Sequence, residues 1–455
     1  MSGSERWVVP DGWSWVTVSK IAEVTGGGTP PAKDPENFTD DGGIPWITPA
    51  DLTGYEDAYI AGGKRNLSEQ GYSKSSAKLL PAGAVLLTSR APIGYCAIAA
   101  NPIATNQGFR SLTLHGEISA EFTRQYLKWS KPFLETLASG TTFLELSGSK
   151  LQHAPFPLPP LPEQKRIVAK LDALNARSAR ARKELSRIDT LVTRYKQVVL
   201  SKAFSGELTR DWRTTPDAPF FAGTLNSILA APIRNGLSVK GTDVPPGVRA
   251  LRLSALRGLS VNMRDVRYLP IDEEKAKRFL LAEGDILVSR GNGTKELVGI
   301  ASLVPLHAEP TIFPDTSFRL RVRKQSALTQ WLAYIWNAPQ CRAQIEKVAK
   351  TTAGIWKISQ KDLAGIELLI PELPEQKEIV RRIESAFLKI GKLAAEAKRA
   401  QELTDKLDVA ILDKAFRGEL VPQDPNDEPA SFLLDRIKAE RAAAPKAQRG
   451  RRKKV

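Results

Sequence analysis

Two stretches of the chain keep an apolar or small residue at alternating steps of three and four. The first carries Ile167, Leu171, Leu174, Ser178, Ala181, Leu185, Ile188, Val192, Tyr195 and Val199. The second carries Ile379, Ile383, Ala386, Ile390, Leu393, Ala397, Ala400, Thr404, Leu407 and Ile411. A seam of this period with charged flanks predicts helices packed along one face as a coiled coil. Each stretch opens with Leu-Pro-Glu-Gln-Lys, at 161–165 and 373–377, and closes with Ala-Phe-x-Gly-Glu-Leu, at 203–208 and 415–420. Both ends are offset by the same 212 residues (373 − 161 and 415 − 203). Pro162 and Pro374 suit a first helical turn, where no N–H is needed. Glu163 and Glu375 bring negative charge to the positive end of the helix dipole. Gly206 and Gly418 are stop signals. The pattern therefore predicts one helix over about 162–204 and another over about 374–416. Roughly 40 residues at ~1.5 Å each make a rod of about 60 Å.

The rest of the chain alternates short β-type runs with short helical ones, which predicts an α+β fold. Repetition continues here. The run Gly284-Asp285-Ile286-Leu287-Val288-Ser289-Arg290 echoes the strand ending at Ser89-Arg90, and Ser317-Phe318-Arg319 echoes Phe109-Arg110. Thr351-Thr352 and Ile358-Ser359 echo Thr141-Thr142 and Leu146-Ser147. The expected organisation is a globular unit at 1–155, a long helix and linker at 156–216, a second globular unit of the same fold at 217–367, a second long helix at 368–420, and a basic tail at 421–455. Within that tail, 430–441 reads as a short helix and 442–455 as disordered.

Charge changes the picture next. The chain carries +16 over 455 residues. From Asp435 onward there are nine Lys/Arg against two acids, so +7 belongs to the end of the chain. A basic body with a basic tail points to a polyanion, nucleic acid first. Cys96 and Cys341 stand far apart, as do His115, His153 and His307, and neither set has metal-ligand spacing. No apolar run is long enough for a membrane span, so a cytoplasmic protein is expected. The Gly26-Gly27-Gly28 turn lacks the lysine of a phosphate loop. No Asn/Asp-Pro-Pro-Tyr/Phe methyltransferase loop and no ATP motif occurs, and Glu283, Asp285 and Lys295 only loosely imitate a nuclease cluster. A self-contained methyltransferase or nuclease, or a structural coiled-coil adaptor, are the rival readings.

The doubled order of globular unit, Leu-Pro-Glu-Gln-Lys helix and Ala-Phe-x-Gly-Glu-Leu end resembles the specificity subunits of type I restriction–modification enzymes, over nearly the whole chain. The resemblance implies two target-recognition domains, each reading one half of a split double-stranded DNA site, separated by two long antiparallel coiled-coil helices. It implies a chain that is not catalytic alone and holds no cofactor. S-adenosylmethionine, ATP and Mg belong to its partners: modification (methyltransferase) subunits, two of them, and restriction (motor-nuclease) subunits. The helix seam is expected at Ile167, Leu171, Leu174, Leu185, Ile188, Val192, Tyr195, Ile379, Ile383, Ile390, Leu393, Leu407 and Ile411. Side chains of the types that contact phosphates and base edges nominate Thr48, Ser89, Arg90, Asn106, Gln107, Arg110, Thr141, Thr142 and Lys150 in the first domain. In the second they nominate Arg252, Ser289, Arg290, Asn292, Lys295, Arg319, Thr351, Thr352, Trp356 and Lys357.

Overall fold

The three-and-four pattern folds into two unbroken helices, Leu161–Ser205 and Leu373–Arg417, of 45 residues each. Gly206 (φ 80°) and Gly418 (φ 77°) follow them in the left-handed conformation that stops a helix cheaply only at glycine. The structure, a computed structural model, describes residues 7–90, 92–140, 144–352 and 354–443. Thr141, Thr142 and the basic stretch from 444 onward lie outside the described residues.

The chain divides into two units: residues 1–183 with 401–455, and residues 184–400. Each unit therefore holds the start of one long helix and the end of the other. In the first unit, Ile167 and Leu171 share a core with Ile411, Ala415 and Phe416. Further along, Arg182 pairs with Asp405 and Asp408. Numbers rise on one helix as they fall on the other, so the two pack antiparallel. In the second unit Val199, Leu200 and Ala203 pack with Ile379 and Ile383 in the same sense.

Not all of the predicted seam is buried. Tyr195, Leu393 and Leu407 are 55%, 61% and 54% exposed. A seam counted at 3.5 residues per step drifts from a helix that turns every 3.6. Lys196 is half-buried where Tyr195 was expected, and Ala394 and Asp408 where Leu393 and Leu407 were.

The first unit has a five-stranded sheet in the order Ala22–Gly26, Arg110–Leu114, Val85–Leu87, Cys96–Ala99, Tyr59–Ile60. A four-stranded sheet and the pair Ser14–Thr17 with Pro155–Leu158 complete it. Strand alternation divides the core: Val85, Leu87 and Leu112 join the helix-side cluster, while Leu86 joins Phe109 on the other face. The second unit repeats the central strands as Arg234–Asn235, Ser317–Leu320, Ile286–Ser289, Ala301–Leu303. Ile286, Val288 and Leu320 take the helix-side positions.

That shared alternation corrects the register of the repeat. Gly83 (φ 83°) matches Gly284 (φ 82°), so Val85 matches Ile286 and Ser89 matches Arg290, not Ser289. Likewise Leu112, paired with Val85, matches Leu320, paired with Ile286, so Arg110 matches Phe318 rather than Arg319. The two Ser-Arg dipeptides are alike in sequence and one residue apart in the fold.

The Gly26-Gly27-Gly28 turn has a steric cause. A Cβ at Gly27 would lie 2.0 Å from the Asn106 carbonyl oxygen, and one at Gly236 would lie 2.1 Å from that of Pro314. At the chain's end, helix Ala430–Ala443 places Ala430, Leu433 and Ile437 in the first unit's core. Packing against that core reaches Ile437, and 438–443 continue the helix with exposed side chains.

Candidate DNA interface

Each unit carries one short ladder beyond the end of its central strand. In the first, the Ser89 N–H donates to Gly108 O at 2.7 Å, and the Leu146 N–H donates to Ser89 O at 2.8 Å. Arg90 then lies opposite Glu145, and Glu145 opposite Ser139. In the second, the Arg290 N–H donates to Thr316 O at 2.8 Å and the Ile358 N–H to Arg290 O at 3.0 Å. Gly291 then lies opposite Lys357, and Lys357 opposite Lys350. The same rungs therefore hold Arg90 and Gly291, Glu145 and Lys357, Ser139 and Lys350.

The chemistry on those rungs differs. In the first unit the Arg90 guanidinium makes an ion pair with Glu145, Nε to Oε2 3.0 Å, without the alignment of a hydrogen bond. Arg110 donates from Nη2 to Glu145 Oε1 at 3.0 Å and from Nη1 to Phe109 O at 2.9 Å. Gln107, on the adjoining turn, is exposed. In the second unit the Lys295 ammonium lies 4.8 Å over the Trp356 ring, and Asn292 faces Trp356 across the ladder. Thr351 and Lys357 are exposed beside them, together with Lys350, which reasoning from sequence missed. Thr352 lies on the same strand, opposite Ile355.

Several nominated residues serve the fold instead. Ser89 and Ser289 are buried. The Ser89 hydroxyl is 3.1 Å from Gly108 O, to which it donates. Arg319 is buried, donates to Leu280 O at 2.7 Å, and has its guanidinium pushed below the ordinary range by burial. All three lie in stretches buried at every position, Val85–Ser89, Ile286–Ser289 and Ser317–Leu320, so their side chains belong to the core and not to the surface. The Thr48 hydroxyl donates to Asp51 at 2.6 Å in a helix-capping box. Asn106 Oδ1 accepts the Gly108 N–H at 2.8 Å and shapes the turn that presents Gln107. Arg252 donates to Val266 O at 3.1 Å and pairs with Asp243. Arg290 donates to Asp315 O at 3.3 Å, and Asn292 Oδ1 accepts the Thr294 N–H at 3.1 Å. Lys150 is exposed on helix Gly148–His153. Glu145 was also missed from sequence, although it stands 212 residues before Lys357 (357 − 145), the offset of the end motifs.

Asp285, part of the loose nuclease imitation, is instead consumed by Arg321 at 2.7 Å. Among the described residues no group of His, Cys, Asp or Glu has metal-binding geometry, and no helix is long and apolar enough to cross a membrane. What the ladders offer is guanidinium, amide and ammonium donors at the surface, the groups that meet phosphates and base edges.

Comparison with known proteins agrees with that chemistry. Residues 10–189 match the family described as the type I restriction modification DNA specificity domain. The chain is 30% identical over 466 residues to the type I restriction enzyme EcoKI specificity subunit of Escherichia coli K12, covering 98% of this chain and 99% of that one. It is 28% identical to the StySPI specificity subunit of Salmonella potsdam, over 98% and 99% of the two chains. The fold resembles that of the HsdS subunit from Thermoanaerobacter tengcongensis, with a TM-score of 0.60 at 21% identity over 92% of this chain and all (100%) of that one. A chain from a study of assembly and conformational transition of the type I R-M system gives a TM-score of 0.66 at 21% identity, over 91% and 100%. This chain belongs to the family of type I restriction–modification specificity subunits. It is a DNA-recognition component and not an enzyme by itself.

Proposed function

We propose that each unit reads one half of a split double-stranded DNA site and that the long helices set the gap and dock modification subunits. Each unit presents one helix start and one helix end, so the same docking surface occurs twice and serves two modification subunits. Restriction subunits complete the assembly in the cytoplasm. S-adenosylmethionine, ATP and Mg are bound by these partners; the chain's own residues supply position and sequence choice. The observation that carries this reading is the surface ladder built twice on one fold with unlike side chains, Glu145 in one and Lys357 in the other. One fold gives the same approach to duplex DNA, and unlike side chains give unlike half-sites.

The test is to express the chain with its modification subunits in a host free of other adenine methylation and to map methylated positions genome-wide. The expected result is one motif with two unlike halves and a fixed gap. A contiguous or palindromic motif would overturn the two-reader assignment.

A further inference from the structure

We propose that Arg90 and Gln107 read bases of the first half-site, held by Glu145 and Arg110 as a positioning frame. This rests on the DNA-reading assignment above. The four residues form one connected piece. Arg110 donates to Phe109 O at 2.9 Å and reaches Gln107 O at 3.4 Å, which ties it to the turn bearing Gln107. Its other terminal nitrogen holds Glu145 at 3.0 Å, and Glu145 in turn holds Arg90 at 3.0 Å. Arg110 commits three hydrogen bonds to the protein and is 21% exposed, whereas Arg90 is 42% exposed. The frame thus leaves two side chains facing solvent, an arginine and a glutamine. These are the residue types whose paired donors and acceptors match guanine and adenine in the major groove.

The carboxylate decides between base and phosphate. A phosphate contact draws its strength from net positive charge and counterion release. Glu145, shared by Arg90 and Arg110, lowers the charge of the cluster from +2 to +1 and so weakens its pull on a phosphate. The ion pair and the backbone bridge between Arg90 and Glu145 set the position of a planar guanidinium that is 42% exposed, and a planar donor group is what a base edge requires. The second unit gives the contrast on the same rungs. Gly291 stands for Arg90, Lys357 for Glu145, Phe318 for Arg110 and, by the same register, Asp315 for Gln107. None of the four is retained. The second unit offers ammonium groups at Lys350 and Lys357, which suit phosphate, so the frame is peculiar to the first half-site.

The experiment selects bound duplexes from a randomised DNA pool with the full chain assembled with its modification subunits. Wild type, Arg90→Ala, Glu145→Ala and Gln107→Ala are compared, with circular dichroism and thermal unfolding as folding controls. Arg90→Ala and Glu145→Ala are expected to relax the same base pair of one half-site by about tenfold, leaving the other half-site unchanged. Gln107→Ala, at an exposed position, relaxes a different base pair of that half-site. A wild-type chain selecting no split motif would sink the two-reader assignment itself. A split motif in wild type that survives Arg90→Ala and Glu145→Ala in folded protein, with affinity unchanged or lowered equally for all sequences, overturns the frame alone. Relaxation of different base pairs by those two variants likewise overturns it.

Discussion

The indole N–H of Trp13 donates to Glu163 Oε2 at 2.9 Å. The Gln423 side-chain amide donates to the other oxygen at 2.8 Å. Glu163 belongs to the opening of the first long helix, and Gln423 follows the end of the second. In the other unit Glu375 accepts from Thr209 at 2.6 Å and from Arg213 at 2.7 Å, residues that follow the end of the first long helix. Gln164 and Gln376 repeat the logic, each donating to the carbonyl five residues earlier, Pro159 at 3.0 Å and Pro371 at 2.8 Å. The glutamate and glutamine of the repeated motif are therefore a clasp, made once in each unit. A carboxylate near a helix start needs no buried partner to satisfy the dipole; these two are buried because the neighbouring exit segment packs over them.

The clasp predicts an effect of pH. Burial is the largest influence on Glu163 and raises its pKa. A folded-state pKa above the unfolded one means that stability is greatest with the proton on and falls as pH rises through the raised value. Glu163→Gln removes that dependence. Denaturant unfolding of both proteins across the acid range should show wild type losing stability relative to Glu163→Gln as pH rises, then a constant difference. Parallel curves throughout would contradict the buried carboxylate. Trp13→Phe, which leaves the carboxylate short of a donor, should cost about 2 kcal/mol at neutral pH.

Glu378 runs the other way. Hydrogen bonds from Arg381 and Arg382 pull it down to about 2. Its contribution is present above the ordinary carboxylate range and is lost as pH falls toward that value. Arg382 also holds Asp211 at 2.6 Å. Arg382→Ala should lower the second unit's stability at neutral pH, by a difference from wild type that shrinks as pH falls toward about 2, while leaving the first unit's transition in place. Unfolding followed by intrinsic fluorescence in each background tests this, and a difference that does not change with pH would refute the assigned network.

Phe416 of the second closing motif is buried against Phe122, Tyr126 and Trp129, with ring centroids at 5.5, 5.4 and 5.2 Å. Phe416→Ala should destabilise the first unit by about 3–5 kcal/mol. Phe204, at the same place in the first motif, is only half-buried and should cost clearly less. Equal losses in denaturant titrations would show that the two ends are packed alike.

Exposed apolar residues on the long helices carry a different expectation. Leu393→Ser and Leu407→Ser should change stability by no more than about 0.5 kcal/mol, since both side chains face solvent. If modification subunits dock there, as large exposed apolar residues suggest, co-purification with those subunits should weaken. Loss of folding would instead restore these leucines to the helix seam.

Lys357→Ala should weaken DNA binding alike for all sequences and lower the slope of log affinity against log salt by about one. Titrations at several salt concentrations measure it. A changed half-site with an unchanged slope would make Lys357 a base reader.

Taken alone, the sequence was sufficient for the helices, their shared length and the existence of a repeat. Helix period, proline and glycine punctuation and identical end motifs are local signals, and local hydrogen bonding within a helix honours them. It was also sufficient for the family, since the motifs that carry the resemblance are contiguous. The tertiary structure decided which polar residues remain outside. Ser89 and Arg90 are neighbours in sequence, yet Ser89 is buried at the end of a run, Val85–Ser89, that is covered on both faces, and Arg90 is half-exposed where the chain leaves that cover. The register of the repeat was likewise decided by which of those faces meets the helix-side core; matching Ser-Arg to Ser-Arg in sequence puts it one residue out. Glu145 acquires its role only when the chain returns it to Arg90 and Arg110, and that pairing depends on backbone hydrogen bonds between distant strands. Pattern along the chain records period; it does not record which partner a strand will meet, and that partner determines what each side chain can touch.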